Sequence, residues 1–278
     1  MLIKSYSKIN LTLKVTSKLK NGFHEIQSLY CLINLSDDLK IKKITKKQDK
    51  ISFVGPFKKH IKDNDNSVYN LLKKLRKINL ISNNYSITIK KNIPVFGGLG
   101  GGTSNAAFIL KYLLKKKINN NLLSKLENVV GTDLKLFFKN YGFLENLKTI
   151  IKLKNRPKFY FILIKPNINC STKDIYSSVK KFSKKEKLYK GAFKSERGFL
   201  EYLSKDKNDL QLIVEKKYPI IKKLLIDIKS ERGCCFSRLT GSGSVCYGLF
   251  KDQITAKKAL NNLKKKHPKF WLSLAKTV

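Results

Sequence analysis

The sequence predicts an α+β fold in two lobes, and three observations lead to this class. Segments with the two-residue alternation of β-strands and segments with the apolar spacing of helices both recur along the 278 residues. Their order is irregular, without the strand–helix–strand regularity of a parallel sheet and without an internal repeat. A polar stretch ending in proline at 154–157 is typical of a boundary. We therefore expect an N-terminal lobe over residues 1–155 and a C-terminal lobe over residues 156–278.

The strands are predicted from alternation. Residues 7–15 carry aliphatic side chains on one face, with Lys8 and Asn10 side by side on the other, non-core face. That face is either solvated or functional. Residues 29–54 look like further strands in which Asp37 and Asp38 mark a turn. Other predicted strands cover 86–90, 151–153, 159–164 and 245–249.

Helices are predicted where apolar residues recur at three- and four-residue spacing. They cover residues 68–78, 106–114, 122–130, 210–218 and 256–263. Asn66 and its neighbours are N-cap candidates for the first helix, and Gly131 ends the third. The lysine-rich, weakly periodic residues 180–194 are expected to form a mobile surface segment.

The stretch from Pro94 to Ala107 has five glycines among its fourteen residues and lies between a predicted strand and a predicted helix. Glycines let the backbone approach a ligand closely, and the first N–H groups of a helix have no internal partners. A phosphate would satisfy those donors at the positive end of the helix dipole. Thr103 and Ser104 add hydroxyls that could reach a phosphate oxygen or a metal ion. We therefore predict a phosphate-binding loop, with a flexible hinge as the alternative.

Two better-known phosphate loops are excluded by the same stretch. A Walker A loop ends in Gly-Lys-Ser/Thr, and no lysine lies between Lys91 and Lys111. The dinucleotide fingerprint fails because Thr103 stands where its third glycine is required.

The net charge of +40 would suit a nucleic-acid-binding protein, but its composition argues against one. Only five of the 59 basic residues are arginine, the side chain that base-reading surfaces favour. Lysine is scattered through every segment, alongside abundant Asn and Ile, as an AT-rich genome encodes. We expect no specific nucleic-acid partner, although nonspecific polyanion binding at low salt would follow from the charge.

The cysteines and histidines argue against a disulfide-bonded protein and against a zinc site. The five cysteines are odd in number and form no C-x-x-C pair, which favours reduced thiols, and the three histidines have no zinc-site spacing. No run of about 18 apolar residues exists, so we expect no membrane partner. A strand-like pattern begins within a few residues of the start and leaves no room for a targeting segment, so a cytoplasmic location is expected.

Several stretches together resemble the motifs of the GHMP kinase superfamily, in the same order and over nearly the whole chain. They are Ser7–Leu11, Asn21–Glu25, Pro94–Ala107, Gly131–Asp133, Leu239–Ser244 and, more weakly, Thr172–Tyr176. The turn containing Phe23 and His24 resembles the one that distinguishes kinases of a cytidine diphosphate-linked alcohol from homoserine and mevalonate kinases.

The resemblance implies a fold and an activity. The N-terminal lobe would be similar to domain 2 of ribosomal protein S5, and the C-terminal lobe would be ferredoxin-like. The implied reaction transfers the γ-phosphoryl group of ATP to the 2-hydroxyl of 4-diphosphocytidyl-2-C-methyl-D-erythritol, in non-mevalonate isoprenoid synthesis. ATP, Mg²⁺ and this small-molecule substrate would be the binding partners.

The resemblance also implies roles for individual residues. Asp133 would accept the proton of the attacking hydroxyl, and Lys8 would hold Asp133 ionised and offset charge on the phosphoryl group. The implied ATP contacts are Asn66, Pro94, Gly97, Gly98, Leu99, Gly100, Gly101, Gly102, Thr103 and Ser104. Ser104 is also the candidate Mg²⁺ contact. The implied substrate contacts are Asn10, Phe23, His24, Thr172 and Tyr176. Phe23 and Tyr176 would sandwich the cytosine. The third glycine motif comprises Thr240, Gly241, Ser242 and Gly243.

The chain departs from the family's pattern at several positions. Phe23 replaces a tyrosine, Thr103 replaces a serine, and Phe96 crowds the start of the glycine loop. Lys135 stands where the family has a proline, so the turn around Asp133 is expected to be less rigid. A glycine-rich turn after residues 141–143 is absent. Two alternatives stay open: another small-molecule kinase of the superfamily, and a nonenzymatic polyanion-binding protein on the same fold.

Overall fold

The computed structural model describes residues 2–62, 65–153 and 157–278, except for the side chains of Lys116 and Lys190. Within these residues the chain forms eleven strands and eight α-helices. The strands are β1 (Leu2–Asn10), β2 (Lys14–Lys18), β3 (His24–Ile44), β4 (Lys50–Val54), β5 (Asn84–Lys90), β6 (Tyr141–Leu144), β7 (Ile150–Lys152), β8 (Tyr160–Lys165), β9 (Cys234–Leu239), β10 (Cys246–Phe250) and β11 (Trp271–Lys276). The helices are α1 (Ser67–Lys77), α2 (Gly101–Leu114), α3 (Asn120–Val130), α4 (Thr172–Ser177), α5 (Glu196–Lys205), α6 (Gln211–Lys217), α7 (Pro219–Lys229) and α8 (Gln253–Lys266).

Contacts within the chain group the residues into two compact units. The first unit comprises Met1–Lys8, Leu35–Val95 and Gly100–Asn140. The second comprises Ile9–Asn34, Phe96–Leu99 and Tyr141–Val278. The boundary predicted at residues 155 and 156 falls outside the described residues and stays a prediction.

The first unit combines strand pairing with three packed helices. The second half of β3 pairs antiparallel with β5, and β4 pairs parallel with β5 on its other side. Helix α1 packs against both α2 and α3. Its apolar side chains recur on one face and are buried, as the sequence predicts. Asn66 caps this helix, because its side chain accepts hydrogen bonds from the N–H groups of Val68 and Tyr69.

The second unit contains a four-stranded antiparallel sheet in the order β11-β8-β10-β9, against which α7 and α8 pack. Strand β8 is buried on both faces, as its unbroken apolar sequence predicts. In the same unit, the first half of β3 pairs antiparallel with β2 and with β6, which in turn pairs with β7.

The prediction of an α+β class is confirmed, and so are the predicted helices over 68–78, 106–114, 122–130, 210–218 and 256–263, within a few residues at their ends. Helix α3 ends at Gly131 as predicted, in a conformation with φ of 138° that favours glycine. None of the helices in the described parts of the chain is both long and apolar enough to cross a membrane.

The predicted turn at Asp37 and Asp38 is wrong, because β3 runs through both residues without interruption. Asp37 is fully buried and forms an ion pair with Lys91, which is itself 1 % exposed. The Asp37 carboxylate also accepts hydrogen bonds from the N–H groups of Asn92 and Ile93. A carboxylate satisfied in this way can occupy a strand interior that its residue type disfavours.

The single strand predicted over residues 7–15 is also wrong, because β1 ends at Asn10 and β2 begins at Lys14. Side-chain hydrogen bonds replace the ladder at the break: Thr12 Oγ1 accepts from the N–H of Leu29, and Ser28 Oγ donates to the carbonyl of Thr12. Lys8 and Asn10 are both buried, so neither lies on a solvated face.

The segment 180–194 is attached to the second unit at several points. The Ser183 N–H donates to the carbonyl of Val15, and the Gln27 side chain exchanges two hydrogen bonds with the backbone of Glu186. Further on, Phe193 is buried with its ring 5.3 Å from that of Phe199. These contacts are more extensive than the expectation of a mobile surface segment implies.

Candidate active site

Lys8 and Asp133 form an ion pair in the first unit. Lys8 Nζ lies 3.3 Å from Asp133 Oδ2. The lysine side chain is 4 % exposed, whereas that of Asp133 is 31 % exposed. The cation is therefore enclosed, and its carboxylate partner can meet a ligand from solvent. This is the arrangement that a proton acceptor held beside a positive charge requires.

Asp133 reaches this position because α3 ends shortly before it, with Gly131 as the C-cap residue. The Gly131 N–H donates to the carbonyl of Glu127 at 2.9 Å and closes the last turn. A β-carbon on Gly131 would lie only 2.6 Å from Thr103 Oγ1, so the turn packs directly against the start of α2. A 3₁₀ turn over Leu134–Phe138 follows Asp133.

The N-terminus of α2 lies beside Lys8 and is suited to bind an anion. Gly100 precedes the helix in the left-handed conformation, and a β-carbon there would lie 2.9 Å from Phe137 Cζ and 3.4 Å from Lys8 Cε. Among the described residues, no side chain caps the helix. Its first N–H groups therefore remain available for a phosphate, close to a buried ammonium.

Ser104 faces β1 rather than the helix terminus. Its hydroxyl is fully buried, donates to the carbonyl of Tyr6 at 2.5 Å and shares a 2.7 Å hydrogen bond with Ser5 Oγ. Its predicted contact with Mg²⁺ stays a prediction. No group of three or more His, Cys, Asp or Glu residues suited to a metal occurs in the described ranges. Mg²⁺ fits this chemistry as an ion carried largely by nucleotide phosphates.

A second ion pair, Asp37 with Lys91, lies behind the same helix. A β-carbon on Gly101 would lie 3.0 Å from Ile93 Cγ2 and 3.5 Å from Lys91 Nζ. Burial lowers the pKa of Lys91, and Asp37 opposes that shift. The sequence interpretation missed this pair, because the partners lie far apart along the chain and Asp37 looked like a turn residue.

The beginning of the glycine loop and the third glycine motif meet in the second unit. The N–H groups of Ser244 and Val245 donate to the carbonyls of Phe96 and Gly97. A β-carbon on Gly98 would collide with the carbonyl oxygen of Thr240, and Gly98 has φ of 72°. The structure thus brings together two motifs that lie about 140 residues apart in the sequence.

Asn10 and Thr172 adjoin the third glycine motif. The Asn10 N–H donates to Thr240 Oγ1, and Asn10 Nδ2 donates to Ser28 Oγ at 2.8 Å. The hydroxyls of Thr172 and Ser242 lie 2.9 Å apart. Both predicted substrate contacts are therefore tied by hydrogen bonds to the same polar cluster.

Tyr176, one of the two aromatic side chains predicted to hold a base, lies beside His24. The rings of His24 and Tyr176 lie 5.3 Å apart. Phe182, which the sequence interpretation missed, lies 6.2 Å from His24. Phe23 is 53 % exposed. Burial and the nearby Lys18 lower the pKa of His24, so its imidazole is neutral at pH 7.

Comparisons with known proteins show the family of the chain. The family described as GHMP kinases N terminal domain matches residues 66–133, and that described as GHMP kinases C terminal matches residues 188–269. A 4-diphosphocytidyl-2-C-methyl-D-erythritol kinase of Pelagibacter ubique is 37 % identical, covering 99 % of this chain and 98 % of the relative. This chain belongs to the GHMP kinases, in the family of the 4-diphosphocytidyl-2-C-methyl-D-erythritol kinases. A relative of that name from Anaplasma marginale is 31 % identical, covering 97 % of this chain and 94 % of the relative.

Solved structures show the same fold. A crystal structure of a 4-(cytidine 5'-diphospho)-2C-methyl-D-erythritol kinase superposes with a TM-score of 0.75, at 22 % identity and with 99 % of each chain covered. A homoserine kinase from Cytophaga hutchinsonii superposes with a TM-score of 0.63, at 18 % identity, covering 99 % of this chain and 95 % of that one. The predicted two-lobed GHMP kinase fold is confirmed.

Proposed function

We propose that this kinase transfers the γ-phosphoryl group of ATP to the 2-hydroxyl of 4-diphosphocytidyl-2-C-methyl-D-erythritol. The observation that carries the proposal is the 3.3 Å ion pair of Lys8 with Asp133 beside the uncapped N-terminus of α2. It combines a carboxylate, an enclosed ammonium and free backbone donors, which are the parts that phosphoryl transfer to an alcohol needs.

Asp133 would act as the proton acceptor. The substrate oxygen attacks the γ-phosphorus, a new O–P bond forms, and the bond to the bridging oxygen breaks with its electron pair leaving on ADP. The hydroxyl proton passes to the Asp133 carboxylate. Lys8 would orient that carboxylate through the ion pair and offset negative charge during the reaction. The partial exposure of Asp133 supports its role as the group that meets the substrate.

The glycine loop would hold the triphosphate. The first N–H groups of α2 lack intrahelical partners, and the left-handed Gly100 directs the chain into the helix without a side chain in the way. Mg²⁺ bound with the nucleotide would neutralise phosphate charge. Thr103, which packs on the turn before Asp133, offers a hydroxyl at the same terminus.

Further polar and aromatic groups would hold the rest of the substrate. Asn10 and Thr172 offer polar contacts for the methylerythritol and diphosphate portions. His24, Tyr176 and Phe182 offer ring faces for the cytosine, and the lowered pKa of His24 favours a neutral imidazole that can both donate and accept.

The decisive experiment measures ADP release with ATP and Mg²⁺ in the presence of three separate alcohols: the cytidine substrate, homoserine and mevalonate. We expect turnover with the cytidine substrate alone. We expect Asp133→Asn to lose about 10²–10⁴-fold in kcat with little change in nucleotide Kd, the range that general-base removal produces. Turnover with homoserine or mevalonate instead would contradict the proposed substrate. Wild-type kcat in Asp133→Asn would remove this residue from the mechanism.

A further inference from the structure

A buried lysine follows Asp133 at the position where the family's pattern has proline. Lys135 is 7 % exposed, and its Nζ lies 2.9 Å from Oε2 of Glu127 in the last turn of α3. An unpaired ammonium at this depth would be strongly destabilising, so the position depends on its carboxylate partner.

Glu127 contacts the chain on both sides of Asp133. Its backbone carbonyl accepts the hydrogen bond of the Gly131 N–H, two residues before Asp133. Its carboxylate binds the side chain of Lys135, two residues after Asp133. The segment that carries Asp133 is thus closed into a loop by one residue of the preceding helix.

Local backbone bonds alone give this segment little additional support. The Leu134 N–H donates to the carbonyl of Gly131 at 3.1 Å, and the Leu136 N–H donates to the carbonyl of Asp133 at 3.0 Å. In the part of the chain that the structure describes, no side chain caps the 3₁₀ turn. Short 3₁₀ turns have poor hydrogen-bond geometry and depend on other contacts for rigidity.

The two ion pairs also influence each other electrostatically. Burial raises the pKa of Glu127, Lys135 opposes that shift, and the charge of Asp133 adds to it. The Asp133 and Glu127 carboxylates therefore repel each other. Lys8 compensates the charge of Asp133, and Lys135 compensates that of Glu127. Removing Lys135 would leave a partly buried negative charge next to Asp133 without its partner.

We infer that Glu127 and Lys135 are positioning residues for Asp133: their ion pair fixes the turn that carries its carboxylate. The inference rests on the proposed function, in which Asp133 accepts the substrate proton. It adds that a charged pair outside the reacting groups holds the base in its geometry.

The test compares single and paired variants in the full chain. We expect Lys135→Met to lower kcat by about 10- to 100-fold, with KM for both substrates and nucleotide Kd within about twofold, because misplacing a catalytic group acts on the chemical step. Lys135→Arg, which keeps the charge, should recover most of the loss. The double variant Glu127→Gln/Lys135→Pro should retain kcat within about fivefold of wild type, because proline fixes the turn without any charge. Glu201→Gln, at an exposed surface ion pair, is the control.

Amide hydrogen exchange at Leu134 and Leu136 gives a readout that does not depend on turnover. It should accelerate in Lys135→Met and return towards wild type in the proline double variant. Unchanged exchange and unchanged kcat in Lys135→Met would overturn the inference, whereas an inactive wild-type protein would refute the proposed function instead. If Lys135→Met fails to fold, the double variant decides, because it buries no unpaired charge. The inference is overturned if this double variant is as stable as wild type but loses as much kcat as Asp133→Asn.

Discussion

The ammonium of Lys8 lies 3.3 Å from the carboxylate of Asp133, although the two residues stand 125 positions apart in the sequence, and only the carboxylate is substantially exposed. Lys8 belongs to β1, and Asp133 follows the end of α3. The first unit therefore brings together an enclosed ammonium and an accessible carboxylate.

Lys8→Met should reduce kcat by about 10²–10⁴-fold, because it removes the cation that offsets charge in the transition state. Methionine preserves most of the buried stem, so the protein should still fold. Lys14→Met is a matched control. Lys14 is also largely buried and ion-paired, with Glu186 and Asp206, but has no predicted part in the reaction. Steady-state kinetics measure kcat for both variants. An equal loss of kcat in both would mean that removing any buried, ion-paired lysine lowers activity.

Gly98→Ala should destabilise the protein by about 1–3 kcal/mol or more, because the residue is left-handed and its new β-carbon would collide with the Thr240 carbonyl. Gly102→Ala in the same loop provides the contrast. Its β-carbon would meet only Ser67 Oγ at 3.5 Å, and alanine favours a helix. Thermal unfolding should show a lower Tm for Gly98→Ala and an unchanged or higher Tm for Gly102→Ala. The opposite order would contradict the assigned loop conformation.

The motif residues could be predicted from sequence because their chemistry is local. Glycines before a helix, a hydroxyl pair and a helix stop before Asp133 each have a meaning within a few residues. Local patterns identify such features even when the partners are unknown. They also predicted five of the eight α-helices in the described residues, since amphipathic spacing depends only on the segment itself, but they missed α4, α5 and α7.

Long-range pairs could not be predicted in the same way. Asp37 looked like a turn residue because aspartate disfavours strands, and only Lys91 and two distant backbone N–H groups make its burial possible. Lys135 was expected to make the turn around Asp133 less rigid. Its ion pair with Glu127 could not be identified from the spacing of the two residues. Phe182 lay in a lysine-rich segment without a clear motif, where an aromatic residue among charges was a weak signal.

Asn66→Ala should lower stability by about 1 kcal/mol through loss of its helix cap, whatever its part in nucleotide binding. Asn119→Ala is the matched control, because Asn119 caps α3 by accepting from the Leu122 N–H and has no predicted ligand. We expect similar falls in Tm for the two variants, but a weaker ATP Kd by calorimetry for Asn66→Ala alone. Equal ATP affinities would limit Asn66 to its role as a cap.

Phe182→Ala should raise KM for the cytidine substrate by about 10-fold, because stacking on a base contributes about 1–3 kcal/mol. The KM for ATP should not change. Phe57→Ala, at an aromatic residue of the first unit with no predicted ligand, is the control. The ring cluster consists of His24, Tyr176 and Phe182. A change in KM for ATP rather than for the cytidine substrate would contradict its assignment to the cytosine.

Lys111 should give the protein a stability that rises with pH in the alkaline range. Its ammonium donates to the carbonyl of Phe137 at 2.6 Å and lies over the Phe108 and Phe138 rings, and burial lowers its pKa from 10.5 to about 8. Between these two values the unfolded chain binds more protons than the folded one, so the free energy of unfolding increases with pH.

Lys111→Met lacks this titration. The stability of the variant relative to wild type should therefore be most favourable near pH 7 and decline by on the order of 2–3 kcal/mol by pH 10.5. Denaturant unfolding at a series of pH values measures this difference in the free energy of unfolding. For Lys125→Met, at an exposed position of α3, the difference from wild type should not change with pH. A difference that stays constant from pH 7 to 10.5 for Lys111→Met would mean that the lysine keeps its ordinary proton affinity between the two rings. In that case the hydrogen bond to Phe137 would have to compensate fully for the burial of the charge.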